Sequence, residues 1–154
     1  MGELSVASFH LTPYSEDLRH PEIDLILDFQ KQYLNKVLMG DMNSLSKNDG
    51  YNENIIDGFN DVQTKKFTRD GKLRFDVTDK ILSTGYQDSA VLLAKNKDNT
   101  VPTPSNKDAA HAEMRLDYIF LSDSLSQHLT SYKVVKNELT DKASDHYPVV
   151  VTLK

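Results

Sequence analysis

Asp41 and Asn43 stand two residues apart in the string Gly40-Asp41-Met42-Asn43-Ser44, directly after the apolar run Lys36-Val37-Leu38-Met39. Residues two apart on an extended chain project to the same side. A carboxylate able to position a water or bind a metal would then lie beside a carboxamide able to donate to a phosphate oxygen. Gly, Asp and Asn are also turn formers, and a plain turn is the competing reading of this string. A second string, Arg115-Leu116-Asp117-Tyr118-Ile119-Phe120, sets a carboxylate inside a strong strand pattern. An unpaired buried carboxylate is costly, so Asp117 needs a His partner or a metal unless it faces solvent from an edge strand. The third string, Ser144-Asp145-His146-Tyr147-Pro148-Val149-Val150-Val151, places Asp145 and His146 side by side at the mouth of a very apolar strand. His titrates near neutral pH and serves as a general base or a phosphate ligand. Asp is a hard oxygen ligand suited to Mg²⁺. A capped loop with a surface His is the alternative here.

The elements that must position these residues follow from periodicity. Residues 4–11 alternate apolar and polar with β-branched and aromatic members, which predicts a strand. Residues 21–34 read as a helix opened by Pro21, with Ile23, Ile26, Leu27, Gln30, Tyr33 and Leu34 along one stripe. Residues 36–39 are a short buried strand and residues 44–54 a polar loop. A weakly amphipathic helical stretch covers 54–67, a turn 69–72, and a short helix 77–83 stopped by Gly85. Residues 95–110 form a long polar loop. Three strands, 116–121, 131–136 and 147–153, close the chain. This alternation predicts a mixed α/β layered domain spanning residues 1–154.

Bulk properties narrow the function. The chain has 154 residues, enough for one domain with a sizeable core. Its formal charge is −5, which argues against a broad basic surface gripping long nucleic acid. It leaves room for a local acidic cluster holding a cation against a phosphate. With no cysteine, disulfides, thiolate catalysis and Cys-based zinc sites are excluded. No run reaches the ~20 apolar residues of a membrane helix. No signal peptide is evident, and a native start at Met1 would imply a cytoplasmic protein; otherwise the compartment is open. Neither GxGxxG nor GxxxxGK[ST] occurs, which disfavours a Rossmann or P-loop nucleotide binder. Lys65-Lys66 and Lys95-Asn96-Lys97 read as solvated faces, and His20, His111 and His128 as surface residues.

In order and spacing, GDMNS, RLDYIF and SDHYPV resemble the signature elements of the endonuclease/exonuclease/phosphatase superfamily, the DNase I-like fold. The resemblance runs from about residue 4 to residue 153. The strand ending Ser8-Phe9-His10-Leu11 resembles, less specifically, the family strand that carries an active-site His. The resemblance implies an α/β (α+β) layered sandwich, here mainly one mixed sheet with flanking helices. It also implies a metal-dependent phosphoester hydrolase, a nuclease, phosphodiesterase or phosphatase using Mg²⁺ or Mn²⁺. Carried over, His146 is the catalytic base or phosphate ligand, and Asp117 its tautomer-fixing partner. Asp41 orients or activates the attacking water or helps the leaving group, and Asn43 hydrogen-bonds the phosphate. His10 touches the phosphate or assists the leaving group. Asp145 is the metal ligand or its close neighbour.

The resemblance covers the C-terminal portion of the family's domain. The family's N-terminal half, with an Asn and a principal metal-binding Glu, has no counterpart here, because Glu3, Glu16 and Glu22 read as ordinary surface residues. A truncated chain is the simplest expectation. A homodimer, or a partner carrying the complementary half, would then cover the sheet face that the second sheet otherwise packs on. The alternative is a non-catalytic association module that has lost the metal-binding half.

Overall fold

A computed structural model describes residues 3–94, 98–106 and 112–154. The expected string Lys95-Asn96-Lys97, His111 and parts of the 95–110 loop lie outside the described residues. The elements are β1 (Leu4–His10), α1 (Glu16–Gln30), β2 (Asn35–Asp41), α2 (Asp61–Phe67), β3 (Thr68–Arg69), β4 (Lys72–Leu73), α3 (Asp76–Ser83), β5 (Tyr86–Asp88), α4 (Ser89–Leu93), β6 (Asp117–Ser122), α5 (Asp123–Ser126), β7 (Leu129–Val134), α6 (Thr140–Ala143) and β8 (Val149–Leu153). A four-stranded mixed sheet runs β1-β2-β6-β5, with β1 parallel to β2 and the other pairs antiparallel. The β7–β8 hairpin is a second small sheet. Among the described residues no helix is long and apolar enough to cross a membrane.

The register sorts side chains to two faces, because residues paired across strands share a face. Ala7, Leu38 and Phe120 align and pack with Ile23 and Leu27 of α1 and Val77 and Ile81 of α3. Val6, Val37 and Leu121 align on the opposite face, where the hairpin lays Leu129, Val149, Val151 and Leu153 over Val37, Ile119 and Leu121. The hairpin does not reach the edge strand: Leu4 and Val6 remain 57% and 51% exposed.

Helix α1 departs from the predicted 21–34. It begins at Glu16, runs through Pro21 and stops at Gln30. The first turns were hidden because they bury charge rather than hydrocarbon: Glu16 and Arg19 are both wholly buried. Pro21 removes one helical hydrogen bond, a loss the packed face tolerates. Glu16 is therefore not the surface residue expected. Burial raises its carboxyl above the usual range, against the pull of Arg19. The predicted 54–67 helix divides into a 3₁₀ stretch, Glu53–Gly58, and α2, whose start is set by a reciprocal Asn60–Gln63 capping box.

One closed polar cluster anchors the sheet. Arg115, 1% exposed, donates to both carboxylates of Asp49 and Asp88, its Nη2 lying 2.7 Å and 2.6 Å from them. The guanidinium also lies over the Tyr118 ring, 4.2 Å from its centroid. The fork geometry matches two carboxylates at once.

Candidate active site

Three strand ends deliver three side chains to one row. His10 pairs in register with Asp41, and Asp41 with Asp117. These are the same faces, two steps further along, as the Ser8–Met39–Ile119 row that follows Val6–Val37–Leu121. The row therefore emerges at the carboxyl end of β1 and β2, beside the loop that leads into β8. Asp117 lies on β6, an interior strand between β2 and β5, so the edge-strand reading does not hold.

Gly40 makes this close approach possible. Its φ is +135°, and an added Cβ would meet the Phe9 carbonyl oxygen at 1.9 Å. Only glycine reaches that conformation at low cost. The chain then turns sharply. Asn43 adopts φ 50°, a left-handed conformation that Asn tolerates. Its backbone N–H donates to Asp41 Oδ1 at 2.7 Å. Asp41 and Asn43 thus share the cleft through a turn, not through the extended spacing expected from sequence.

His146 Nδ1 lies 2.8 Å from Asp117 Oδ2, and its Nε2 lies 3.9 Å from Asp41 Oδ2. His10 Nε2 is 3.4 Å from the same Asp41 oxygen but is 67% exposed. Burial pushes the His146 imidazole down, but its hydrogen bond to Asp117, then the charges of Asp117, Asp41 and Asp145, more than offset this and leave it above its ordinary 6.5. Burial, with the neighbouring Asp117 charge, raises Asp41 above the usual carboxylate range, against the Asn43 N–H.

A cleft of about 420 Å³ is lined by His10, Pro13, Asp41, Asn43, Lys66, Asp117, Asp145 and His146. All six residues singled out from the sequence, His10, Asp41, Asn43, Asp117, Asp145 and His146, meet here. His20 instead pairs with Asp24 at 3.4 Å, and His128 Nδ1 lies 2.7 Å from the Lys154 carbonyl. Lys66 is the unexpected member. Expected to be solvated, it is 5% exposed, and its ammonium donates to Asn43 Oδ1. Burial lowers its pKa to about 8. Its signal lay in helical spacing: Gln63, Lys66 and Phe67 are all buried on one face of α2.

A second unexpected residue is Thr100, wholly buried. Its hydroxyl accepts from the backbone N–H groups of Leu116 and Asp117 at 3.0 Å and 3.2 Å, while its carbonyl accepts from Tyr147 N at 2.8 Å. One residue thus ties the strand carrying Asp117 to the loop carrying His146.

For a divalent cation the donor chemistry is of the right kind, since Asp145 and Asp41 offer hard oxygens. Among the described residues, however, no three His, Asp or Glu side chains converge as a cluster able to hold a metal. A cation here would draw its remaining ligands from water and substrate.

No protein-family model matches the chain, and no curated protein matches it in sequence. Solved structures do match in fold. The chain resembles a 3′ phosphatase from Neisseria bound to a product DNA hairpin, at TM-score 0.69 and 17% identity, covering 97% of this chain and 60% of that one. It resembles an AP endonuclease from Archaeoglobus fulgidus at TM-score 0.67 and 20% identity, covering 96% and 60%. A mannosyl-6-phosphatase from Bacteroides thetaiotaomicron matches at TM-score 0.62 and 20% identity, covering 97% and 50%. The fold is therefore the DNase I-like mixed α/β fold. The chain spans about half to three fifths of the length of these neighbours.

Proposed function

We propose that this chain carries the catalytic residues of a phosphoester hydrolase of the endonuclease/exonuclease/phosphatase kind, corresponding to the C-terminal portion of that domain. The observation that carries the reading is the Asp117–His146 pair at 2.8 Å, opening onto a cleft that also holds Asp41, Asn43 and Asp145. The names of the fold neighbours, which include a phosphatase and an endonuclease, support a phosphoester substrate.

In this reading Asp117 fixes the imidazole by accepting the Nδ1 proton and keeps His146 protonated, so that Nε2–H holds a phosphoryl oxygen. Asp41, made more basic by its burial, takes a proton from the attacking water. The water oxygen bonds to phosphorus as the ester P–O bond breaks. The departing oxygen leaves beside His10, which can supply its proton. The second N–H of the Asn43 amide, the first being spent on the Leu11 carbonyl at 2.8 Å, steadies the phosphoryl charge. Mg²⁺ or Mn²⁺ bound through Asp145 would neutralise charge on the transferring phosphoryl group.

The test is hydrolysis of bis-p-nitrophenyl phosphate, then plasmid DNA, with Mg²⁺ or Mn²⁺, beside a His146→Ala control. Turnover that EDTA removes and His146→Ala abolishes is the expected result; turnover unchanged in the variant overturns the reading.

One observation favours a partner. Leu4 and Val6 are exposed on the face that the hairpin covers elsewhere. A second copy or a complementary chain would bury them, and the site could be completed across that contact. Light scattering distinguishes a monomer from a dimer. A monomer that turns over on its own would count against this association.

A further inference from the structure

The charges in the cleft do not balance for an anionic substrate. Asp41, Asp117 and Asp145 all line it, and a phosphate approaching three carboxylates meets repulsion unless a cation faces it. Among the described residues lining that cleft, Lys66 is the only Lys or Arg. Arg19 is close enough to Asp41 to interact electrostatically with it, but it does not line the cleft, and each of its three nitrogens is engaged elsewhere. Its Nε goes to Ser44 Oγ at 3.0 Å, Nη1 to the Thr12 carbonyl at 3.1 Å, and Nη2 to the Lys66 carbonyl at 2.8 Å. Arg19 thus pins the backbone of Lys66 from behind.

An ammonium has three donors, and the structure assigns one of Lys66's to Asn43 Oδ1. That bond also settles the carboxamide. A lysine can only donate, so the Asn43 oxygen faces Lys66 and the nitrogen faces the Leu11 carbonyl. Two donors of Lys66 are left for something in the cleft. Desolvation makes such a charge more effective against an anion than the same charge in water. Burying a lysine is expensive; here the cost is offset only in part by Asp41, and an incoming anion would complete the compensation.

We infer that Lys66 is a phosphate-contacting catalytic residue of this site, its ammonium donating to a non-bridging phosphoryl oxygen while it holds Asn43 in the orientation that presents the free N–H. This rests on the phosphoester reading above. It also implies that the cleft binds inorganic phosphate, whether or not the chain turns a substrate over.

The experiment compares wild type, Lys66→Met and Lys66→Arg for inorganic phosphate binding by calorimetry and for bis-p-nitrophenyl phosphate hydrolysis. Thermal melts verify folding, and Met keeps the aliphatic stem. Lys66→Met should weaken phosphate binding roughly tenfold to a hundredfold, the worth of a hydrogen bond to a charged group, and raise KM. Lys66→Arg, which keeps the charge, should restore much of the affinity. A folded Lys66→Met that binds phosphate like wild type overturns the inference. Loss of kcat with phosphate affinity intact also overturns it, since Lys66 would then act only by positioning Asn43. Lys66-dependent phosphate binding without any turnover would sustain the inference while sinking hydrolysis by this chain. A wild-type protein that binds no phosphate sinks the inference itself.

Discussion

Arg115 and Asp117 are two residues apart on one segment, yet they belong to opposite kinds of polar environment. Arg115 turns into a cluster where a buried cation meets two buried carboxylates, Asp49 and Asp88. Asp117 turns into a cleft where its own partner, His146, is a quarter exposed. Three carboxylates there face one buried lysine. The first arrangement is closed and serves the fold. The second is left electrostatically unfinished, which costs stability but leaves donors and acceptors for a substrate. Perturbed titration at a cleft, rather than in a sealed cluster, is what marks a functional site.

The sharpest way to break this contrast is at its closed end. Arg115→Ala should destabilise the fold by about 3–5 kcal/mol, because it strands two buried carboxylates; urea unfolding measures it, and a loss below about 1 kcal/mol would mean that the cluster is not a structural anchor. At the open end, His146→Ala should cost much less stability than Arg115→Ala but lower turnover by about 10²–10⁴-fold. A variant that unfolds instead would erase the distinction between the two regions.

Asp117→Asn sharpens the contrast without removing the ring. The Asp117 anion and its hydrogen bond raise the folded pKa of His146 above 6.5. The pair therefore adds stability that is fully present below 6.5 and is lost as the pH rises through the higher folded value. If protonated His146 holds the phosphate, activity falls over the same upper range. In Asp117→Asn the His146 titration, read by NMR, should move down, and the alkaline limb of the activity profile with it. An unmoved titration would rule Asp117 out as the cause.

The smallest effect is expected on the surface. Asp17 accepts from Arg69 and Arg74, and its carboxyl is held down at about 2 against an ordinary 3.8. Its contribution is fully present above 3.8 and is lost as the pH falls through about 2. Because Asp17 is 62% exposed, Asp17→Asn should cost less than about 1 kcal/mol at pH 6 and progressively less as the pH falls from 3.8 toward 2, measured by paired denaturant melts.

What could be read from the sequence follows the same division. Strand ends were legible because alternation in residues 4–11 and short apolar runs further along mark the strands, and His10, Asp41, Asp117, Asp145 and His146 all lie at or near such ends. The turn at Asn43 was legible only as an alternative, since Gly, Asp and Asn suit turns as readily as ligand contacts. Lys66 and Glu16 were misread because each is a charged residue among charged residues, and only tertiary packing distinguishes the buried member from its solvated neighbours. Helix α1 was placed late for the same reason. Thr100 gave no signal at all: a lone threonine in a polar stretch says nothing of the three backbone groups that it ties together.

Thr100 also bears on how such a domain can diversify. Asp117 and His146 are held through one short segment: the Thr100 hydroxyl grips the strand, while the Thr100 carbonyl and the Thr103 N–H and hydroxyl grip the loop. A change of length or composition within residues 100–103 should therefore retune the pair, although none of these residues lines the cleft.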